Sequence, residues 1–127
     1  MPKIIGIDYG AKRVGVAVTD ESASVAFPRT VLTNDRTLLQ AVVNLIRQEN
    51  ATTVVFGDSR NSEGAENPIM SDIKKFAFAL QEKAAISIFY EPEFYSSSEA
   101  REHTGKSTVD AEAATIILNS FLARKKK

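Results

Sequence analysis

The stretch that most constrains this chain is Ile4-Ile5-Gly6-Ile7-Asp8-Tyr9-Gly10, followed by Val14 to Val18. Ile4 to Ile7 is a short apolar run, which suits a strand buried on both faces. Val14 to Val18 is a second such run, so Tyr9 to Arg13 is expected to be a hairpin turn. Asp8 closes the first strand between Gly6 and Gly10. A carboxylate at the end of a buried strand is costly unless it is hydrogen-bonded, paired or bound to a metal. The flanking glycines let another backbone or a ligand come close. Asp8 is therefore either a metal ligand or an Asp that bonds the N–H groups of its own turn.

The rest of the chain alternates helical and strand patterns. Arg29 to Thr33 reads as a short edge strand after a loop from Asp20 to Pro28. Asn34 is expected to cap a helix carrying Leu38, Leu39, Val42, Val43, Leu45 and Ile46, which ends near Glu49-Asn50. Thr52 to Phe56 reads as a strand ending at Gly57, with a polar loop from Asp58 to Glu66. Asn67-Pro68 opens a second helix with its stripe on Ile69, Met70, Ile73, Phe76, Ala77 and Leu80. Ile86 to Tyr90 is the next strand. Ser96-Ser97-Ser98 offers caps for a short helix from Glu99 to His103, and a last helix spans about Val109 to Leu122. This order predicts an α/β mixed sheet of about five strands, the first ones antiparallel, flanked by helices.

With 127 residues, 43% of them apolar, the chain is expected to be one domain, residues 1–127. Sixteen basic residues balance sixteen acidic ones, which argues against coating nucleic acid by bulk charge but allows a local basic patch. No cysteine and a single histidine, His103, exclude thiolate chemistry and a multi-histidine zinc site. No signal-peptide pattern or spanning apolar run is seen, so the expectation is a soluble cytoplasmic protein without membrane contact.

Three acids stand out: Asp8 at a strand end, Glu93 just past another, and Asp110 at the start of the last helix. Asp110 shares a stripe with Ala113, Ala114, Ile117 and Phe121. In parallel-type sheets ligands collect beyond the carboxyl ends of the strands, where these acids can meet. Converging carboxylates repel and call for cations, and oxygen-only ligands favour magnesium or manganese. Two such ions about 4 Å apart can stabilise the attacking and leaving oxygens of a phosphodiester displacement. Each acid also has a simpler reading. Asp110 would oppose the helix dipole, Glu93 would be a solvated loop acid, and Glu91 competes with Glu93 as the second strand-end acid.

At these residues the chain resembles the YqgF-type proteins, Holliday-junction-resolvase-like or pre-16S rRNA nuclease family members with a ribonuclease-H-like fold. Gly6 to Val18 follows the family's opening Gly-Ile-Asp-x-Gly-x-Lys-Arg-x-Gly-Val-Ala-x pattern. Glu93-Phe94-Tyr95-Ser96-Ser97-Ser98-Glu99-Ala100 is similar to its Asp-Glu-Arg-Leu-Thr-Thr-x-Glu-Ala motif, and Val109 to Ala114 to its Val-Asp-x-x-Ala-Ala helix start. Pro92 and Phe94 depart from that motif, and Gly57 to Gly64 departs from the family's Gly-Leu-Pro-Leu-Asn-x-x-Gly loop. The resemblance implies a metal-dependent endonuclease that processes the 5′ end of pre-16S rRNA. The alternatives are a Holliday junction resolvase, for which a homodimer would supply paired sites, and an inactive nucleic-acid-binding protein. It implies Asp8, Glu93 and Asp110 as catalytic metal ligands for two Mg2+ or Mn2+ ions. Lys12, Arg13, Ser96, Ser97, Arg101 and Lys106 would contact nucleic acid, with Arg29 extending the rim, while the basic tail from Arg124 to Lys127 reads as a solvated terminus. Asp8-Tyr9-Gly10 also looks like the first phosphate turn of the sugar kinases, which need two such domains. Thr104 to Thr108 mimics the end of a P-loop but lacks its first glycine and preceding strand.

Overall fold

The apolar runs pair into one five-stranded sheet in a computed structural model that describes residues 3–59, 68–93 and 106–125. The strands are β1 (Lys3–Tyr9), β2 (Arg13–Thr19), β3 (Ala26–Thr33), β4 (Ala51–Ser59) and β5 (Ser87–Glu93). The helices are α1 (Leu38–Glu49), α2 (Ile69–Lys83) and α3 (Lys106–Lys125). The sheet order is β3-β2-β1-β4-β5. β1, β2 and β3 pair antiparallel, while β4 runs parallel to both β1 and β5. The expected mixed sheet with antiparallel first strands is the one found.

Alternation along the strands sorts side chains onto two faces. Ile5, Ile7, Val16, Val54 and Phe56 pack with Leu38, Val42, Ile73 and Leu80 of α1 and α2. Ile4, Ala17 and Val55 pack with Ala114, Ile117 and Leu118 of α3 on the other face. Fully burying a residue such as Ile117 or Leu118 contributes roughly 1.5–3 kcal/mol, so a few of them suffice to dock α3.

Several boundaries differ from the sequence expectation. β3 begins at Ala26 and takes in Pro28, which an edge strand tolerates because one side of its backbone needs no partner. Its entry turn is organised by Asp20. Hydrogen bonds led by the Ser24 N–H hold that carboxyl down at about 2. β4 runs on through Asp58 and Ser59, because β5 continues beside it to Glu93. Asn34 does not cap α1, whose cap position is Thr37. The Asn34 side chain instead donates to the Gly10 carbonyl at 2.7 Å, and its N–H donates to the Lys12 carbonyl at 2.9 Å. The cap-type amide has found a non-local carbonyl, and so braces the β1–β2 turn. The expected short helix from Glu99 to His103 lies outside the described residues.

Candidate functional site

Two glycines bring the ends of β1 and α3 together. In the antiparallel pair Asp8 lies opposite Gly15. A Cβ at Gly15 would overlap the backbone carbonyl of Asp110, so the helix backbone rests directly on the strand there. A Cβ at Gly6 would meet the Leu118 Cβ at 2.9 Å and the Ala114 carbonyl oxygen at 3.1 Å. Asp8 keeps register with Ile4 and Gly6, on the α3 face. Asp8 and Asp110 thus share one face of the sheet at the carboxyl end of β1.

Asp110 is the fifth residue of α3, not its first. Helix-dipole stabilisation fades within the first turn, so the simple dipole reading loses its basis. Ala113, Ala114, Ile117 and Phe121 are all buried, as the predicted stripe requires. Asp110 itself is 13% exposed, and one of its oxygens is already engaged. The Arg13 Nε–H donates to Asp110 Oδ2 at 2.7 Å. Arg13, read as a phosphate contact, here holds a candidate ligand. Lys12 is exposed in the turn that Asn34 braces.

The other strand-end residues divide. Glu93 is the last residue of β5, paired with Ser59 at the carboxyl end of β4, and its side chain lies outside the described part. Of the three acids expected to meet, the described residues put Asp8 and Asp110 on one face of the sheet. Glu91 is buried and turned toward the second half of α3. The Ser120 hydroxyl donates to its Oε2 at 2.7 Å, and Arg124 Nη2 lies 2.9 Å from Oε1. That ion pair is close but misaligned for a hydrogen bond. Ser120 lies ten residues beyond Asp110, about 15 Å along a helix. Glu91 is thus a clamp between β5 and α3 rather than a neighbour of Asp110. Arg124, expected to be solvated in the basic tail, belongs to that clamp.

Arg29, expected in the basic rim, donates to Glu49 at 2.8 Å at the end of α1. Ser96, Ser97 and Arg101 lie outside the described residues, as does the side chain of Lys106, the first residue of α3. Asp58, read as a loop residue, is buried within β4 at 8% exposure. It continues the Val54, Phe56 alternation onto the α1–α2 face, away from Asp8. That alternation is the signal that would have found it.

Among the described residues no three or more His, Cys, Asp or Glu are gathered to hold a metal ion. Asp8 and Asp110 supply two carboxylates, the oxygen donors that hard divalent cations take. Asp110 already holds a positive group, the Arg13 guanidinium. The donor set therefore fits magnesium or manganese, with Glu93 as the third candidate ligand. No described helix is long and apolar enough to cross a membrane.

The family model described as "RuvX: Holliday junction resolvase" matches residues 2–124. A protein of Oleidesulfovibrio alaskensis named "Putative pre-16S rRNA nuclease" is 33% identical over 94% of this chain and 91% of its own length. A Chlamydia trachomatis protein of the same name is 33% identical over 96% and 92%. In fold, the chain is similar to RuvC of Thermus thermophilus bound to a Holliday junction substrate. That match has a TM-score of 0.65 at 12% identity and covers 99% of this chain and 96% of that one. It is also similar to the Fowlpox virus resolvase in complex with junction DNA, with a TM-score of 0.64 at 11% identity over 98% and 99% of the two chains. With its first motif formed as strand, turn and strand, and its last seated as a helix on that pair, this chain belongs to the RuvX family, the YqgF-type proteins that its sequence resembles.

Proposed function

We propose that this protein is a divalent-cation-dependent endonuclease that acts in the cytoplasm on the 5′ region of pre-16S rRNA. The observation that carries the reading is the seating of the Asp110 backbone on Gly15, the strand partner of Asp8. It puts two carboxylates on one face at the carboxyl end of a central strand, where α/β sheets bind ligands. Relatives at 33% identity that carry the pre-16S rRNA nuclease name support the substrate class.

In this reading Asp8, Asp110 and Glu93 hold magnesium or manganese. The bound cation would offset the charge of the phosphodiester and lower the pKa of a water. The chain's own residues do the rest. The closely packed glycines fix Asp8 and Asp110 without side-chain freedom in between. Lys12, exposed beyond Asp8, contacts backbone phosphate, which gives affinity without reading sequence. Hydrolysis adds water across one P–O bond and leaves a phosphate monoester and a hydroxyl.

The family description favours a second substrate, the four-way DNA junction, which a homodimer with paired sites would cut. One experiment separates the readings: purified protein with pre-16S leader RNA and with a four-way junction, each with magnesium, with manganese and with chelator. Cation-dependent cleavage of the leader RNA alone is expected. Junction cleavage alone would transfer the reading to DNA. Binding without cleavage of either would leave a nucleic-acid-binding protein.

A further inference from the structure

We infer that Arg13 is a built-in cation surrogate: it occupies Asp110 while the divalent ion is absent and moves to substrate phosphate when the ion binds. The inference rests on the cation reading given above and deepens it. One contact and one difference in exposure carry it. The Arg13 Nε–H donates to Asp110 Oδ2 at 2.7 Å, the length of a charge-assisted bond. The Asp110 side chain is 13% exposed, whereas the Arg13 side chain is 42% exposed. The carboxylate is thus held in place, while the guanidinium has solvent to swing into.

The backbone beneath Arg13 is fixed on both sides. Arg13 pairs with Thr33 of β3. The turn before it is fastened by the two Asn34 bonds, to the Gly10 and Lys12 carbonyls. Exchange of Arg13 for a cation is therefore a side-chain event that needs no change in the fold. Arg13 also gives Asp110 a positive partner on the sheet face that it shares with Asp8. Once displaced, a planar guanidinium is well matched to phosphate oxygens. The same side chain then helps to bind the substrate whose cleavage the cation serves.

The consequence is a competition. Cation binding must displace Arg13 from Asp110, so the wild-type site binds cation less tightly than its carboxylates alone would. The test is Mn2+ affinity without nucleic acid, read from the free-Mn2+ electron paramagnetic resonance signal. It compares wild type, Arg13→Gln, Arg13→Lys and Asp110→Asn, with folding of each checked by circular dichroism. Arg13→Gln should bind Mn2+ several-fold more tightly than wild type. Arg13→Lys, which keeps the charge but loses the fixed Nε–H, should fall between them. Asp110→Asn should bind far more weakly. Mn2+ binding that Asp110→Asn abolishes, with Arg13→Gln no tighter than wild type, overturns the inference and leaves the cation reading standing. Absence of Mn2+ binding in all four proteins overturns both.

Discussion

Two of the arginine–carboxylate pairs that fasten helices to this sheet are nearly equal in length, and their surroundings differ in charge. Arg29 lies 2.8 Å from Glu49 and Arg13 lies 2.7 Å from Asp110, with carboxylates 15% and 13% exposed. Glu49 also receives Lys3 at 3.0 Å, so one acid there faces two cations. Asp110 instead shares its face with a second acid, Asp8, while Arg13 lies on Asp110. The Glu49 cluster is over-compensated by positive charge and closes on itself. The Asp8–Asp110 end puts two carboxylates on one face of the sheet. Similar pair geometry therefore serves fastening at one place and, in the proposed function, cation recruitment at the other.

The sharpest break of that contrast is Asp8→Asn. The amide keeps the shape and removes the charge, so cation-dependent cleavage should fall below detection while the melting temperature stays near wild type. Wild-type cleavage by the variant would end the cation-ligand assignment. Failure to fold would return Asp8 to its turn-structural reading.

Gly15→Ala comes next and strikes the Asp110 end through packing alone. The new Cβ meets backbone, not a side chain that could rotate away. Overpacking of this kind costs about 1–3 kcal/mol, and chemical denaturation should show a loss in that range. An unchanged midpoint would mean that α3 does not rest on β2 as described.

Glu49→Gln tests the closed cluster. Removing a carboxylate shared by two cations should cost about 1 kcal/mol at neutral pH, the upper end for such pairs. Hydrogen bonds from Arg29, then Lys3, hold the Glu49 carboxyl below the usual carboxylate range. A depressed carboxyl contributes stability above its unfolded pKa and loses it as pH falls through the folded value. The gap in melting temperature between wild type and Glu49→Gln should therefore close as the medium becomes acidic. A gap independent of pH would assign the effect to shape, not charge. Cleavage at neutral pH should be unaffected.

Lys12→Ala is the mildest change. The residue is exposed at a hairpin tip, so stability should not move. The salt dependence of nucleic-acid binding should flatten by about one phosphate contact. Identical slopes would show that Lys12 is merely solvated.

The elements were legible because their signals are local. The apolar runs Ile4–Ile7 and Val14–Val18 and the 3.6-residue stripes of α1, α2 and α3 depend only on neighbours along the chain. Asp8 was legible for the same reason, as a carboxylate ending an apolar run. What was misread depends on partners far away in sequence. Asn34 has the chemistry of a cap, and only the folded hairpin offers it the Gly10 carbonyl. Asp58 follows a glycine and reads as loop, but β5 extends the pairing past it.

By itself, then, the sequence determined the five strands, the three described helices, their order and the acidic character of one strand end, since backbone sterics and apolar burial act over a few residues. Only the tertiary structure decided which charges meet. It set Arg13 on Asp110, turned Glu91 toward Ser120 and Arg124, and made Gly15 the seat of a helix. The physical reason is range. Hydrogen bonds and close contacts reach only a few ångströms, so residues 97 apart in sequence, such as Arg13 and Asp110, have no relation until packing brings them within it.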